Sequence, residues 1–227
     1  MTLQTILGLL IACGLALLLI RRAVDRRARA AAEPQRLFEN VAGLLENPRL
    51  DPTGTVGVHR LVGDWRGLPV QVQTVVDTLA VRKLPSLWLM VTIPDALPLS
   101  ATFDLMMRPA SATSFSNYDH LAHGVALPPG FPEHAGLRTD NPAGLLPASL
   151  ITPHLDVFDN PRTKELLISP KGLRLVVQLA EADRARYGVF RQADFGTVTL
   201  EPEAVLDILH RLARIRQAIL DGGRKPA

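Results

Sequence analysis

Three of the six histidines lie close together in the sequence and have side chains that can bind a metal. His120 and His123 are three residues apart, and His134 follows eleven residues later. On a helix, positions i and i+3 share a face, so this pair and a third ligand would suit zinc. The glutamate of a His-Glu-x-x-His motif is absent, and Gly124 and Pro128 favour a loop with exposed histidines. A membrane-tethered hydrolase or metal-dependent enzyme using His120, His123 and His134 is therefore our alternative prediction.

Two other patterns group polar residues without defining a reaction. Asp156 follows His154 by two residues, which on a strand would place both side chains on one face. A surface ion pair is the simpler interpretation, because acid–base chemistry would also need a pocket. Asp194-Phe195-Gly196 matches the magnesium-binding triplet of protein kinases, but the other kinase motifs are missing. We interpret Gly196 as a turn residue.

The common catalytic signatures are absent from the sequence. It contains no nucleophile elbow, no P-loop and no dinucleotide-binding fingerprint. A single cysteine excludes a disulfide scaffold and a cysteine-rich zinc finger. We therefore predict no cofactor, no metal and no catalytic residue, and we favour a binding protein over an enzyme.

The distribution of charge argues against a nucleic-acid partner. The net charge of +3 lies entirely within residues 21–33, which hold five arginines against two acids, and the rest of the chain is neutral. Aromatic residues make up only 5% of the chain, too few for a platform that stacks single-stranded bases. The five residues that we single out are Arg21, Arg22, Arg26, Arg27 and Arg29.

These arginines directly follow an apolar segment, Leu3 to Ile20, in which Gln4 and Thr5 are the only polar residues. As a helix the segment would reach about 27 Å, close to the roughly 30 Å of a hydrocarbon core. It predicts a membrane-spanning anchor. A cleaved signal peptide would need positive residues before the apolar run. No Lys or Arg precedes this run. Lipidation of Cys13 in a lipobox-like Leu-Ile-Ala-Cys would need a polar tether after the cysteine, but the apolar run continues for seven residues beyond it.

The position of the arginines predicts an orientation. Positive residues beside a span stay on the cytoplasmic side, so the domain should face the cytoplasm at the cell membrane. Two roles are open for these arginines. They would attract the anionic lipids of the inner leaflet, or they would only determine the orientation of the membrane-spanning segment.

Composition shifts and hydrophobic periodicity predict four parts of the chain. These are a transmembrane anchor (1–20), a basic juxtamembrane segment (21–34), a soluble α+β domain (35–222) with a proline-rich loop region (109–163), and a flexible tail (223–227). The fold class that we expect is α+β, with one N-terminal transmembrane helix followed by a compact domain of antiparallel sheet and packed helices.

Within the domain, residues 35–46 have helical periodicity. Strands at 55–62, 68–76, 87–93 and 101–107 should form an antiparallel meander. Further on we expect a short strand at 166–168, a helix after Ser169-Pro170, a hairpin between Tyr187 and Leu200, and a last helix opened by Glu201-Pro202-Glu203.

The C-terminal stretch LLISPKGLRLVVQLAEADRARYGVFRQADFGTVTLEP and the layout of anchor, basic run and domain resemble uncharacterised bacterial membrane-anchored proteins of unknown function. This resemblance implies no catalytic residues. Our leading hypothesis is a single-pass membrane protein whose domain binds an unidentified protein partner or helps to assemble a complex.

Overall fold

The computed structural model describes residues 36–52, 59–79, 84–109, 113–190 and 193–222, together with positions 14, 18 and 21. The chain divides into two compact units, Met1–Glu39 and Asn40–Ala227. In the first unit the described positions 14, 18, 21 and 36–39 are helical. Cys13 and four of the five arginines (Arg22, Arg26, Arg27 and Arg29) lie outside the described residues, and the role of these side chains stays a prediction.

An antiparallel sheet of nine strands dominates the second unit. The strands are β1 (Glu46–Pro52), β2 (His59–Trp65), β3 (Leu68–Asp77), β4 (Ser86–Ile93), β5 (Phe103–Met107), β6 (His123–Val125), β7 (Ala135–Thr139), β8 (Thr163–Ser169) and β9 (Gly172–Glu181). Their spatial order is β1-β2-β3-β4-β9-β8-β5-β7-β6. The central strands β4, β9, β8 and β5 therefore carry the residues that are covered on both faces.

Helices are few in the described parts of the chain. They are α1 (described over 36–42), α2 (Ala148–Ile151), α3 (Arg184–Phe190) and α4 (Pro202–Gly222), with 3₁₀ segments at Tyr118–His120, Pro142–Gly144 and Thr152–Asp159. The 21-residue α4 contacts β4 and β9 through a buried apolar stripe that includes Leu209 and Leu212. Alternate residues of those strands, among them Leu89 and Leu175, are buried on the same side of the sheet.

The predicted fold class, α+β with an N-terminal transmembrane helix, is wrong. The second unit is mostly sheet, and no helix within the described residues is both long and apolar enough to cross a bilayer. The longest described helix, α4, has the length but places Asp207, Arg211 and Arg214 among its apolar positions. The apolar segment Leu3–Ile20 lies outside the described residues except at positions 14 and 18.

The helix predicted after Ser169-Pro170 is also wrong, because this segment forms β9. Its apolar residues fit a helical period, but they equally fit a strand that is buried on both faces. Pro170 and Lys171 form the turn of a hairpin in which Ser169 pairs with Gly172. Gly172 has φ +132°, and a Cβ at this position would lie 2.2 Å from the carbonyl oxygen of Ile93. Only glycine fits there without displacing the backbone.

The hairpin predicted between Tyr187 and Leu200 is replaced by α3 and an irregular segment. The Asp183 carboxylate accepts a hydrogen bond from the backbone N–H of Arg186 at 2.7 Å, as a residue that caps a helix does. Asp194 accepts one from the N–H of Gly196 at 2.9 Å, which closes a local turn. The kinase-like triplet is therefore a turn, and no second strand follows it.

The predicted last helix is confirmed as α4, and strands occur near all four positions predicted for the meander. Their pairing differs from the prediction. β4 pairs with β9, and β5 lies between β8 and β7, so the fourth strand of the expected meander does not join the third. Strand order depends on contacts that are distant in sequence, which local patterns do not encode.

Candidate functional site

Two acidic side chains are buried side by side on the sheet face that α4 does not cover. Asp104 on β5 is 1% exposed, and Glu165 on β8 is 0% exposed. The register pairs Met106 with Glu165 and Asp104 with Leu167, so the two carboxyl groups are diagonal neighbours on one face. Arg174 on β9 pairs with Leu167 and lies on the same face.

A ten-residue segment, which we call the strap (residues 113–122), lies over this face. Ser116 donates a short hydrogen bond from Oγ to Glu165 Oε1 and accepts one from the backbone N–H of Tyr118 at 3.1 Å. Arg174 Nη1 donates to the carbonyl oxygen of Phe115 at 3.1 Å. Two charged groups of the sheet therefore bind the strap at adjacent residues.

The far end of the strap is held by Arg138 on β7. Its Nε and Nη2 donate to the carbonyl oxygen of Leu121 at 2.9 and 2.6 Å, and its guanidinium carbon lies 5.7 Å from the centre of the Tyr118 ring. Opposite the strap the sheet has no side chain at Gly136, where an added Cβ would lie 2.1 Å from the Tyr118 hydroxyl. The glycine provides the space that the tyrosine ring fills.

Apolar contacts close the strap over the sheet. Phe115 and Tyr118 form a buried cluster with Met90, Met106 and Val176. On one side of this cluster the half-buried Trp88 packs against Phe115, with ring centres 5.1 Å apart. The acid pair is therefore enclosed by packed side chains.

Burial shifts the ionisation of both acids. The pKa of Asp104 is raised to about 9, first by burial and then by the charge of Glu165, while the Arg174 guanidinium acts in the opposite direction. Burial also raises the pKa of Glu165, against the opposing effects of the Ser116 hydrogen bond and of Arg174. Asp104 therefore keeps its proton at neutral pH.

One oxygen of each acid lacks a hydrogen-bond donor. Asp104 Oδ1 and Glu165 Oε2 are both buried, and neither has a hydrogen-bond partner among the described residues. A hydrogen bond between the two carboxyl groups raises the pKa of Asp104 and lowers that of Glu165, as expected if Asp104 donates and Glu165 accepts. A proton on Asp104 supplies the donor that two ionised carboxylates would lack.

Beside the strap, one end of the sheet forms a cleft of about 290 Å³. The ends of β3, β5 and β9 and the beginnings of β4 and β8 meet there. Its lining includes Trp88, Arg108, Thr113, Arg162, Lys164 and Glu181. Thr113 belongs to the strap, so the strap forms part of the cleft wall.

The cleft is positive overall. Its lining contains three cationic side chains and two acidic ones, Asp77 and Glu181. Arg108 and Arg162 are exposed, and neither guanidinium has a hydrogen-bond or ion-pair partner among the described residues. Lys164 instead donates from Nζ to the carbonyl oxygens of Met107 and Arg108 at 2.6 and 2.9 Å.

The backbone of Arg108 is held in a conformation that a non-glycine residue rarely adopts, with φ 43°. Two hydrogen bonds fix it: its N–H donates to the carbonyl oxygen of His134 at 2.7 Å, and its carbonyl accepts from Lys164. Strain of this kind is retained where surrounding structure imposes it, often at functional sites. Here the fixed backbone determines where the Arg108 side chain projects from the end of the sheet.

Large, well exposed apolar side chains are few in the described residues. They are Leu18 in the first unit and Val76 and Leu79 in the second. Leu79 is 53% exposed, and its backbone N–H donates at 3.0 Å to Oδ1 of Asp77, a lining residue of the cleft. Val76 is 42% exposed but directly precedes Asp77 in β3, so its side chain projects from the opposite face of the sheet. Ser114 of the strap donates to the carbonyl oxygen of Val76 at 3.3 Å.

The structure does not bring the three candidate histidines together. His120 ends the 3₁₀ turn of the strap, His123 begins β6, and His134 precedes β7, all of them exposed. β6 pairs with β7 so that His123 lies opposite Thr139, five residues from His134 and about 16 Å away along an extended strand. The described residues contain no group of three His, Cys, Asp or Glu side chains that could hold a metal ion.

The His154 and Asp156 pattern has a structural role. Both residues lie in the 3₁₀ segment Thr152–Asp159, and Asp156 accepts a hydrogen bond from Arg211 Nη1 on α4 at 2.6 Å. Burial, followed by the charge of Arg214, lowers the pKa of His154. The acid thus serves an ion pair with the helix.

The acid pair was not among the residues that the sequence singles out. Alternation along the predicted strand 101–107 places Asp104 on the face opposite Phe103 and Leu105, and no local pattern joins it to Ser116 or Glu165. The available signal is an acid next to apolar residues in each strand, in FDLMM and in ELLI. What the strands do not reveal is that a loop covers their second face.

No family model, curated protein or solved structure matches this chain. The fold and the site define a nine-stranded antiparallel sheet domain with a buried acid pair beneath the strap and an adjoining positive cleft. The resemblance of the C-terminal stretch to bacterial proteins of unknown function stays a prediction.

Proposed function

We propose that the domain is a protein-interaction module and that its cleft binds an acidic segment of a partner protein. The observation that carries this proposal is a pair of guanidinium groups at the rim of the cleft, Arg108 and Arg162, that have no partner among the residues that the structure describes. Guanidinium groups bind carboxylates with two parallel hydrogen bonds, so they favour Asp and Glu side chains as ligands.

The surroundings of the cleft favour a protein as the source of those carboxylates. Leu79, whose backbone N–H is bonded to the cleft residue Asp77, exposes apolar surface close to the charged rim. Protein interfaces combine an apolar centre with polar and charged groups around it, and arginine is enriched in them. A small anion would use the arginines but would leave the Leu79 side chain uncovered.

The two edges of the sheet are poorly suited to the same task. β1 contains Pro48 and Pro52 and has a register irregularity between Glu46 and Arg49. At the other edge, β6 is three residues long. Prolines, bulges and short edge strands discourage the addition of a further strand. Side-chain recognition in the cleft is thus a better basis for partner binding than strand pairing.

Catalysis has less support from the geometry. The acids with the strongest pKa shifts, Asp104 and Glu165, lie beneath the strap and are not lining residues of the cleft. General acid–base chemistry needs a group within hydrogen-bond reach of the substrate. The described lining of the cleft combines arginine, lysine, tryptophan and two carboxylates, which suits binding.

A peptide titration of the full chain tests the proposal. The Trp65→Phe variant leaves Trp88 as the only tryptophan, so its fluorescence reports on the cleft. We expect hexaglutamate to bind and hexalysine not to bind. Because exposed ion pairs are screened by salt, the affinity for hexaglutamate should fall between 0.05 and about 0.5 M salt.

The charge-matched control uses arginines outside the cleft. Arg108→Gln combined with Arg162→Gln should weaken hexaglutamate binding by about tenfold or more, as expected when charge-assisted hydrogen bonds are lost. Arg49→Gln combined with Arg184→Gln removes the same charge from exposed positions elsewhere and should leave the affinity unchanged. Equal loss in both double variants, or no binding of hexaglutamate, would overturn the proposal.

A further inference from the structure

The strap is bound to the sheet by charged side chains. Glu165 accepts from Ser116, Arg174 donates to the carbonyl oxygen of Phe115, and Arg138 donates to that of Leu121. The first two contacts come from groups that also interact electrostatically with Asp104. The state of the acid pair and the position of the strap are therefore linked through Glu165 and Arg174.

Arg174 and Lys164 are positive groups that interact electrostatically with the pair. Arg174 on β9 acts to lower the pKa of both acids, whereas burial raises both. With both acids ionised, two buried carboxylates would lie on adjacent strands. Like charges at this separation in a buried site repel strongly.

The charged groups near the pair also make hydrogen bonds to β5 and to the strap. Lys164, on the same strand as Glu165, donates to the carbonyl oxygens at the end of β5, and Arg138 on β7 donates to Leu121. The strap contributes the Tyr118 hydroxyl, whose pKa is raised by burial and by Asp104, and the exposed Asp119, which raises it further. The facing residues of the apolar cluster from β4 and β9, Met90 and Val176, carry no charge.

The strap also forms part of the cleft. Thr113 lines the cleft, Ser114 is bonded to the carbonyl oxygen of Val76, and Phe115 packs on Trp88, another lining residue. These three contacts precede Ser116, the residue bound to Glu165. Movement of the strap away from Glu165 would therefore remove one wall of the cleft and uncover Trp88.

From this geometry we infer that the proton between Asp104 and Glu165 locks the strap and that the locked strap completes the cleft for its acidic ligand. The inference rests on the proposed function, since it concerns regulation of the same cleft. With the proton in place, Ser116 and Phe115 stay bound to the sheet. Without it, repulsion within the pair releases Glu165 from Ser116, the strap separates from the sheet, and the ligand loses the wall formed by Thr113 and Trp88.

Two measurements on the full chain in the Trp65→Phe background test the inference. Acrylamide quenching of Trp88 between pH 6 and 10.5 follows the strap without any ligand, and titration with hexaglutamate follows the cleft. We expect quenching to increase with a midpoint near pH 9, together with a loss of hexaglutamate affinity of at least tenfold across the same range.

Three variants assign the transition. Asp104→Asn and Glu165→Gln each place an amide N–H between the two side chains, so either should remove the transition and keep the strap closed. Because two amide variants are used, the test can still be made if one of them fails to fold. Tyr118→Phe removes the other group of the strap that titrates at high pH, and it should retain the transition.

The possible failures are distinguishable. Constant quenching from pH 6 to 10.5, or a transition that survives both amide substitutions, would overturn the lock. Strap opening without a change in hexaglutamate affinity would overturn its connection to the cleft. If hexaglutamate does not bind at any pH, the proposed function fails, and the quenching measurement still decides whether the proton holds the strap.

Discussion

Asp104 and Glu165 bring two carboxyl groups together on neighbouring strands, each with one buried oxygen that has no hydrogen-bond partner among the described residues. Buried acids of this kind make stability depend on pH, because the folded state holds a proton that the unfolded chain releases. In a folded domain the arrangement persists only where packing and hydrogen bonds offset the cost of burial. Here Ser116, Arg174 and the apolar cluster under the strap make these contacts.

The first prediction concerns the free energy of unfolding as a function of pH. The pKa of Asp104 is about 9 in the folded chain against an ordinary value of 3.8. The folded state therefore binds more protons between these values, and the contribution of Asp104 to stability falls as pH rises through this range and levels off above about 9. The maximal slope for one proton is about 1.4 kcal/mol per pH unit.

Asp104→Asn removes this dependence, because the amide does not titrate. Urea unfolding at pH 5, 7 and 9 should show the variant gaining stability relative to the wild-type chain as pH rises. Asp140 provides the control for direction: its pKa is lowered by the backbone N–H of Thr102, so its contribution is lost at acid pH. Parallel pH profiles of wild type and Asp104→Asn would contradict the assignment of the proton.

The second prediction concerns the hydroxyl that joins the strap to the acid pair. Ser116→Ala leaves Glu165 Oε1 buried without its donor, and we expect a loss of about 1–3 kcal/mol in the free energy of unfolding. The matched control is Ser114→Ala in the same strap, where an exposed hydroxyl makes a 3.3 Å bond to a carbonyl oxygen. Chemical denaturation of both variants should show a change below about 0.5 kcal/mol for Ser114→Ala. Similar losses in the two would argue against a special role for Ser116.

The sequence predicts local structure well where one periodicity dominates. α4 follows from an apolar stripe that repeats at helical spacing, with Glu203 near its start. β3 and β4 follow from alternation and from an apolar run of strand length. In β9 the residues Leu173, Val176 and Val177 satisfy both periods, and the hairpin contact with β8 decides in favour of the strand. That contact depends on the approach of Gly172 to the backbone of Ile93, which no local pattern reveals.

The candidate site is predicted less well, for a related reason. Chemistry-bearing residues that are near in sequence, such as His123 and His134, are held apart by the β6–β7 pairing. The residues that the fold does bring together, Asp104, Ser116 and Glu165, are up to 61 positions apart in the sequence. Distant segments also determine the surroundings of both tryptophans: the ring centre of Trp65 lies 5.0 Å from that of His210, and Trp88 lines the cleft.

The third prediction concerns the ion pair that fixes α4 against the loop after β4. Arg216 donates from Nε to Asp95 Oδ2 at 2.7 Å and makes a second contact through Nη2, with both side chains less than one third exposed. Arg216→Gln should lower the free energy of unfolding by about 1–2 kcal/mol, more than a fully exposed pair would. Arg211→Gln is the comparison, since its partners Asp207 and Asp156 are 60% and 53% exposed. A larger loss for Arg211→Gln in urea unfolding would contradict this ranking.

The fourth prediction uses a glycine to test how tightly the strap packs. A Cβ at Gly136 would lie 2.1 Å from the Tyr118 hydroxyl and 3.0 Å from Pro109 Cγ, so Gly136→Ala must displace the tyrosine ring. Overpacking of this kind costs about 1–3 kcal/mol. Because Tyr118 follows Ser116 in the strap, the displacement should also increase acrylamide quenching of Trp88 at neutral pH, where the acid pair keeps its proton.

Gly188→Ala is the control for the same chemical change. Gly188 lies in α3 with no atom within 4 Å of an added Cβ, so alanine should be neutral or stabilising by up to about 1 kcal/mol through its helix propensity. Thermal unfolding and Trp88 quenching of the two variants separate a local clash from a general effect of alanine. If Gly136→Ala lowers stability but leaves Trp88 quenching unchanged, Tyr118 adjusts without moving the strap, and the contact between strap and β7 does not control access to the cleft.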